Sequence, residues 1–260
     1  MASALERGLE ITELLAGAEA GLPLHQVADT LGMPRSAAHR MLAELIRAGY
    51  VHQFGEFGNY VLGLKLVSTG LRHLAANDLV GLSRPVLAEL AKSSGELVRL
   101  SILDGADMVW VSTFQGARSG LRYDPDSGGT VRLSCSATGF AWMSSIPEEE
   151  ALKLILRQEI GPRDKYGPAA PQTINEIRHE LNKARADGYA IAIDTHSLGI
   201  ASVAAPVYDG QDVAGVISVA GPTVRCTQQR LEAVAPTLLE ATKEVSSILG
   251  FSDGRLYVRA

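Results

Sequence analysis

At 260 residues the chain is long for one ordinary domain and comfortable for two, and its 46% hydrophobic content is enough for real cores. No apolar run approaches the ~20 residues needed to span a bilayer, the opening MASALERGLEITELL carries no basic-then-apolar leader pattern, and two cysteines do not make a disulfide framework, so a reducing, cytoplasmic setting with no membrane partner is expected. The net charge of −5 excludes any general attraction to nucleic acid: residues 1–76 hold six basic and seven acidic side chains, and any DNA contact must rest on local charge and base readout.

Ser3 to Ala18 is rich in helix formers and ends near Gly17 and Gly21, which predicts a first helix. Leu22-Pro23-Leu24 reads as a short extended link. The segment from Leu22 to Ala48, LPLHQVADTLGMPRSAAHRMLAELIRA, then spells a short helix, a glycine turn at Gly32 and a second helix opening at Pro34-Arg35-Ser36. Ala28 and Ala38 are small where two helices must approach, and Gly32 suits a turn needing positive φ. Ala38, Met41, Leu42 and Leu45 form an apolar stripe at helical spacing, opposite Arg35, Ser36, His39 and Arg40. A helix presenting those residues, with Ala37, near its N-terminus suits the major groove of double-stranded DNA. His39 is open between a DNA contact and a packing residue, and Arg47 between a contact and the C-terminal helix dipole.

Gly49 caps this helix, and YVHQFGEFGNYVLG follows as a hairpin turning at Gly55 to Asn59, the wing of a winged helix, with His52, Gln53 and Asn59 as candidate contacts to the DNA backbone or minor groove. Leu64, Val67, Leu71 and Leu74, spaced three, four and three, predict a linker helix that pairs with a second subunit, with a break at Asn77-Asp78. Beyond it, Leu82 to Lys92 reads as helix. Val98, Leu100 and Ile102 alternate with Arg99 and Ser101 as a half-buried strand, which turns at Asp104-Gly105 into MVWVSTFQ. Helices are expected over Ala137 to Ser145, Glu148 to Gln158 and Ile174 to Asp187. A strand pair flanks Asp209-Gly210-Gln211, and a last helix carries Leu231, Val234, Leu238, Ala241, Val245 and Ile248 inward. Hairpins interleaved with helices indicate an α+β domain with an antiparallel sheet. The divisions expected are 1–63, 64–78 and 79–252.

Catalytic and metal chemistry find little support. Cys135 and His196 have no orienting acid or oxyanion site beside them, and a lone cysteine in an apolar stretch is usually a small core residue. THSLG is not a nucleophile elbow, the six histidines show no ligand spacing, and the glycines of Asp126 to Gly129 read as a turn. No metal or cofactor is expected.

The chain resembles the IclR family of bacterial transcriptional regulators. The resemblance is carried by LERGLEITELL, PRSAAHRMLAELIRAGYV, YVLGLKL, LDGADMVWV, LSCSATGFA, ARADGYAIAIDTHSLGIASVAAPVYD and ISVAGP, in order over nearly the whole length. It implies an N-terminal winged helix joined by a helix to a GAF-like effector-binding domain, assembled as a homodimer or dimer of dimers on operator DNA. It also implies an effector pocket built from Ser136-Ala137-Thr138-Gly139 and walled by Asp194 through Ser202 and the strand of Ser218, with His196 facing it and Leu121 and Tyr123 as cover. A glycine-containing loop that opens a helix offers free N–H groups to a carboxylate, which agrees. Three positions depart from the family pattern: Phe140 replaces a basic residue, Ser202 a cysteine, and Asp194 follows Ala192-Ile193 rather than acidic residues. These departures point to a less polar effector, an aromatic or longer-chain acid. Two other classes stay open on the sequence alone: a constitutive DNA-binding protein whose second domain only oligomerises, and a small-molecule enzyme with a vestigial DNA-binding domain.

Overall fold

The computed structural model describes residues 3–55, 58–75, 78–125 and 129–250, in two compact units, Met1–Leu74 and Ala75–Ala260. Parts of the expected wing turn, the break at Asn77, the Asp126–Gly129 turn and the boundary at 252 fall outside the described residues.

In the first unit, α1 (Ala4–Ala16) begins at a reciprocal cap: the Ser3 hydroxyl accepts from the Glu6 amide, and the Glu6 carboxylate accepts from the Ser3 amide. α2 (Leu24–Thr30) and α3 (Arg35–Arg47) are joined through Gly32, at φ +58°, where an L side chain is strained. Ala28 and Ala38 are fully buried where these helices meet. β1 (Val51–Gln53) and β2 (Tyr60–Leu62) pair antiparallel, and the link read as extended adds an isolated antiparallel bridge, Leu22 against Tyr60. Ile11, Leu15, Val27, Leu42, Val51 and Tyr60 form the core. α4 (Leu64–Ala75) fills the expected linker but buries nothing of its own: Leu64, Leu66, Val67 and Leu71 are all exposed.

The second unit is a five-stranded antiparallel sheet, ordered β4-β3-β7-β6-β5. Its elements are α5 (Asp78–Ser94), β3 (Leu97–Asp104), β4 (Asp107–Gln115), α6 (Ala137–Ser144), α7 (Glu148–Gln158), α8 (Ile174–Asp187), β5 (Ala190–Ile193), β6 (Ile200–Asp209), β7 (Asp212–Pro222) and α9 (Gln228–Gly250). α5 and α9 pack on one face, and α6 and α8 on the other. With helices on both faces the central strands are buried on both, so β3 is not the half-exposed strand its alternation suggests: Arg99 is 7% exposed and Ser101 0%.

A bulge in β4 has a particular effect. Leu100 pairs with Ser112, but Ser101 pairs with Trp110, so Val111 is extra. The extra residue shifts the pleat by one, so that Trp110 and Thr113, three residues apart, both share a face with Arg99 and Ser101.

Candidate DNA-binding helix and effector site

α3 buries Ala38 and Leu42 and leaves Arg35, Ser36, His39 and Arg40 exposed, with Ala37 half-buried. His39 is therefore on the solvent side and not in the core. No acidic side chain among the described residues pairs with Arg35 or Arg40, whereas Arg47 is bonded to Glu44 at 2.6 Å. Pro34 precedes the helix without a side-chain cap, and the first intrahelical bonds are made by Ala37 and Ala38, which leaves the Arg35 and Ser36 amides free for an anion. In the wing His52 is exposed, while Gln53 donates across the hairpin to the Gly58 carbonyl and Asn59 donates to the carbonyls of Ala20 and Gly21, holding the hairpin to the body of the unit.

The effector candidates lie on the α6 face of the sheet. α6 opens at Ser136, whose hydroxyl accepts from the Gly139 amide and donates to the Arg132 carbonyl. Ala137 and Thr138 are buried, and a Cβ at Gly139 would lie 2.4 Å from the Leu133 carbonyl oxygen, so α6 leans on the 131–135 segment as only glycine allows. Ser218 of β7 pairs with Arg99 on one side and Ala204 on the other, and Ser202 pairs with Ala220; alternation puts both serines on this face.

The 194–199 turn closes one side. Asp194 sits at φ +54° and its carboxylate accepts from the Gly199 amide at 2.6 Å. The Thr195 hydroxyl donates to the Cys135 carbonyl, and the Gly167 and Ala169 amides donate to the carbonyls of Thr195 and Asp194. Asp194 is thus engaged in its own turn. His196 is half-buried, its Nδ1 3.0 Å from the Ser197 hydroxyl and its ring 6.3 Å from that of Tyr166. Tyr123 is half-buried, its ring 5.8 Å from the Arg99 guanidinium carbon. Leu121, expected beside it, is 64% exposed and contributes its carbonyl to Arg225.

Four residues of this cluster escape sequence reasoning: Arg99, Trp110, Arg132 and Tyr166. The Arg99 guanidinium lies 3.7 Å from the Trp110 ring centre, and that of Arg132 lies 5.3 Å from the Tyr166 ring. The Nε atoms of Arg99 and Arg132, the Trp110 indole nitrogen and the Ser218 hydroxyl are all buried without a hydrogen-bond partner. Such groups are rare in a native fold, and here four fall on the residues of one face of the sheet and the segment beside it. The available signals were an arginine in an apolar run, LVRLSI, and another four residues ahead of Ser136.

The electrostatics follow from burial. It pulls the Arg99 guanidinium down, against an opposing push from the Tyr123 hydroxyl. Burial, then Arg99 and Arg132, hold His196 below the ordinary imidazole value, so the ring is neutral at pH 7. Burial pushes the Cys135 thiol up to about 11, and it is 1% exposed: a core residue rather than a nucleophile. Among the described residues no group of three or more His, Cys, Asp or Glu is placed to hold a metal, and no helix is long and apolar enough to cross a membrane.

Comparison with known proteins agrees with both halves of this geometry. The helix-turn-helix domain model of the IclR family matches residues 4–54, and the C-terminal model of bacterial transcriptional regulator IclR matches residues 71–247. The chain belongs to the IclR family. Among IclR-type relatives, the acetate operon repressor of Salmonella typhimurium is 29% identical over 248 residues, 95% of this chain and 89% of that protein. The Thermotoga maritima IclR structure aligns with a TM-score of 0.77 at 24% identity, over 95% of this chain and 98% of that one. An IclR homologue from Microbacterium hydrocarbonoxydans, solved with 4-hydroxybenzoate, aligns with a TM-score of 0.80 at 20% identity over 96% of this chain and 100% of that one. This IclR-type chain is therefore a transcriptional regulator with a DNA-binding domain and an effector-binding domain, and not an enzyme.

Proposed function

We propose that the protein acts in the cytoplasm as a homodimer, or a dimer of dimers, that grips a two-fold operator with α3 of each subunit and releases or tightens it when a small acid enters the Arg99–His196 cluster. Residues 1–63 serve as the DNA-binding domain, 64–78 as linker and dimerisation element, and 79–252 as effector domain. Arg35, Ser36 and Arg40 read the major groove, with Ala37 and His39 beside them. Half-sites then lie about one helical turn, ~34 Å, apart.

The observation that carries the effector reading is the set of four buried donors without partners. In this reading the α6 start (Ala137, Thr138, Gly139), His196, Ser202, Ser218 and Tyr123 contact the acid. Asp194 shapes the turn and Leu121 sits at the rim. The aromatic ligand of the Microbacterium homologue makes aromatic acids a natural part of the test panel. Of the three departures behind the expectation of a less polar effector, Phe140 is 1% exposed in the core, and the positive charge of the cluster is that of Arg99 and Arg132. Dimerisation is supported by the apolar surface of α4 together with Leu5 and Leu9 of α1, which nothing in the subunit covers. The names of the relatives favour repression.

Fluorescence anisotropy of the protein on the DNA upstream of its own gene, over a salt series and with a panel of carboxylic acids, tests this. A coupling of ~1–3 kcal/mol, a 5–150-fold shift in affinity, is expected from the right acid. Tight binding that no acid alters would instead describe a constitutive DNA-binding protein.

A further inference from the structure

Two guanidinium groups stand in the effector cluster with no carboxylate opposite them. Arg99 is 7% exposed; the Trp110 ring covers its flat face at 3.7 Å, and its Nε edge has no partner. Its register partner on β7, Ser218, is 3% exposed and presents an equally unpartnered hydroxyl on the same face. Arg132 reaches the Glu159 carbonyl through one terminal nitrogen at 3.4 Å, and its buried Nε is likewise open. Neither arginine forms an ion pair among the described residues, and the carboxylate of Asp194, the acid of the neighbouring turn, is taken by the Gly199 amide. Removing a charge from water is costly unless it is paired and hydrogen-bonded. A guanidinium with a free Nε edge is shaped to take a carboxylate side-on through two parallel bonds.

Taking the cluster as the effector pocket, on which this inference rests, we propose that the effector is a small dianion carrying two acidic groups, one held by Arg99 with Ser218 and the other by Arg132, its body lying along His196 and Tyr166. A monoanion would leave one guanidinium without a counter-charge; a dianion satisfies both. His196 adds no third charge at neutral pH, because burial and the same two arginines keep it neutral. It is left to donate or accept one hydrogen bond to the middle of the ligand.

The test uses matched pairs of ligands on the full-length protein. Diacids from succinate to suberate and the three benzenedicarboxylates are each compared with their own monomethyl ester, by titration calorimetry and melting temperature at constant ionic strength. One diacid is expected to bind at least ~10-fold more tightly than its ester, equivalent to about 1.4 kcal/mol. Arg99→Met, which keeps the stack on Trp110, and Arg132→Met are each expected to bring that diacid down to the level of its ester. The unliganded variants should melt no lower than the parent, since each loses an unpaired charge, so a failure to fold is visible separately. A monoacid or monoester binding as tightly as the best diacid overturns the dianion while leaving an acid-sensing pocket in place. A diacid preference that survives either arginine substitution overturns the two-anchor assignment. No binding by any acid, with operator binding intact, overturns the dianion and the pocket together.

Discussion

Replacing Asp194 separates a ligand contact from a turn constraint. The residue is half-buried, sits at φ +54°, and accepts from the Gly199 amide at 2.6 Å. Asp194→Ala removes a charge-assisted bond worth about 1–2 kcal/mol at partial exposure. It also places a Cβ without local hydrogen bonding in the left-handed region, at about 1 kcal/mol more. The sum is ~2–3 kcal/mol. In a domain of this size each kcal/mol moves the midpoint by ~2–4 °C, so a drop of roughly 4–12 °C is expected. Asp194→Asn tolerates the same backbone and keeps an acceptor for Gly199, so it should cost under ~1 kcal/mol. Calorimetric melting gives the stabilities, and titration with the effector the second readout. The Asn variant should bind effector within about threefold of the parent, since on this account the carboxylate is spent on the turn. If Asp194→Asn melts like the parent but loses effector binding by more than tenfold, the carboxylate touches the ligand and the turn account is refuted.

Arg40→Ala, exposed and unpaired on α3, should lower operator affinity by about 1–3 kcal/mol while leaving effector binding unchanged; equal loss of both would indicate unfolding. Leu71→Glu on α4, 61% exposed within the subunit, should shift sedimentation toward monomer at an unchanged melting temperature; an undisturbed dimer would place the interface elsewhere. For His196 the folded protein holds the imidazole below its ordinary value, so the unfolded chain takes the proton first as pH falls. The related stability is fully present above about pH 6.5 and is lost as pH drops from there through the folded pKa. His196→Gln should flatten that part of the stability–pH curve; an unchanged curve would show that another group governs it.

Much of the fold is legible in the sequence because its signals are local. Pro34 ahead of an amphipathic stripe marks α3, and Asp209-Gly210-Gln211 between β-branched runs marks the β6–β7 hairpin. The site is less legible because its charges come from residues whose surroundings are set by distant packing. Arg99 alternates with apolar neighbours just as a solvent-facing residue would, and only helices on both faces of the sheet bury it. The short β5, AIAI, is four residues long and half alanine, too brief and too weak in β-formers to announce itself as a strand. Trp110 and Thr113 lie three residues apart, so no regular alternation puts both on the face of Arg99, and no periodicity count accommodates the extra Val111.

That extra residue makes the pocket wall sensitive to length as well as to composition. Because the pleat changes phase at Val111, the half of β4 containing Met108 and Trp110 is aligned by one count and the half containing Thr113 and Gln115 by another. Deleting Val111 would close the bulge into one regular ladder, with Trp110 still opposite Ser101 and Thr113 still opposite Arg99, and would take out the bend and extra twist that set the indole against the guanidinium. Among proteins that share this sheet, gain or loss of one residue in one strand is therefore a way to reshape the wall beside Arg99 while every side chain on it stays the same.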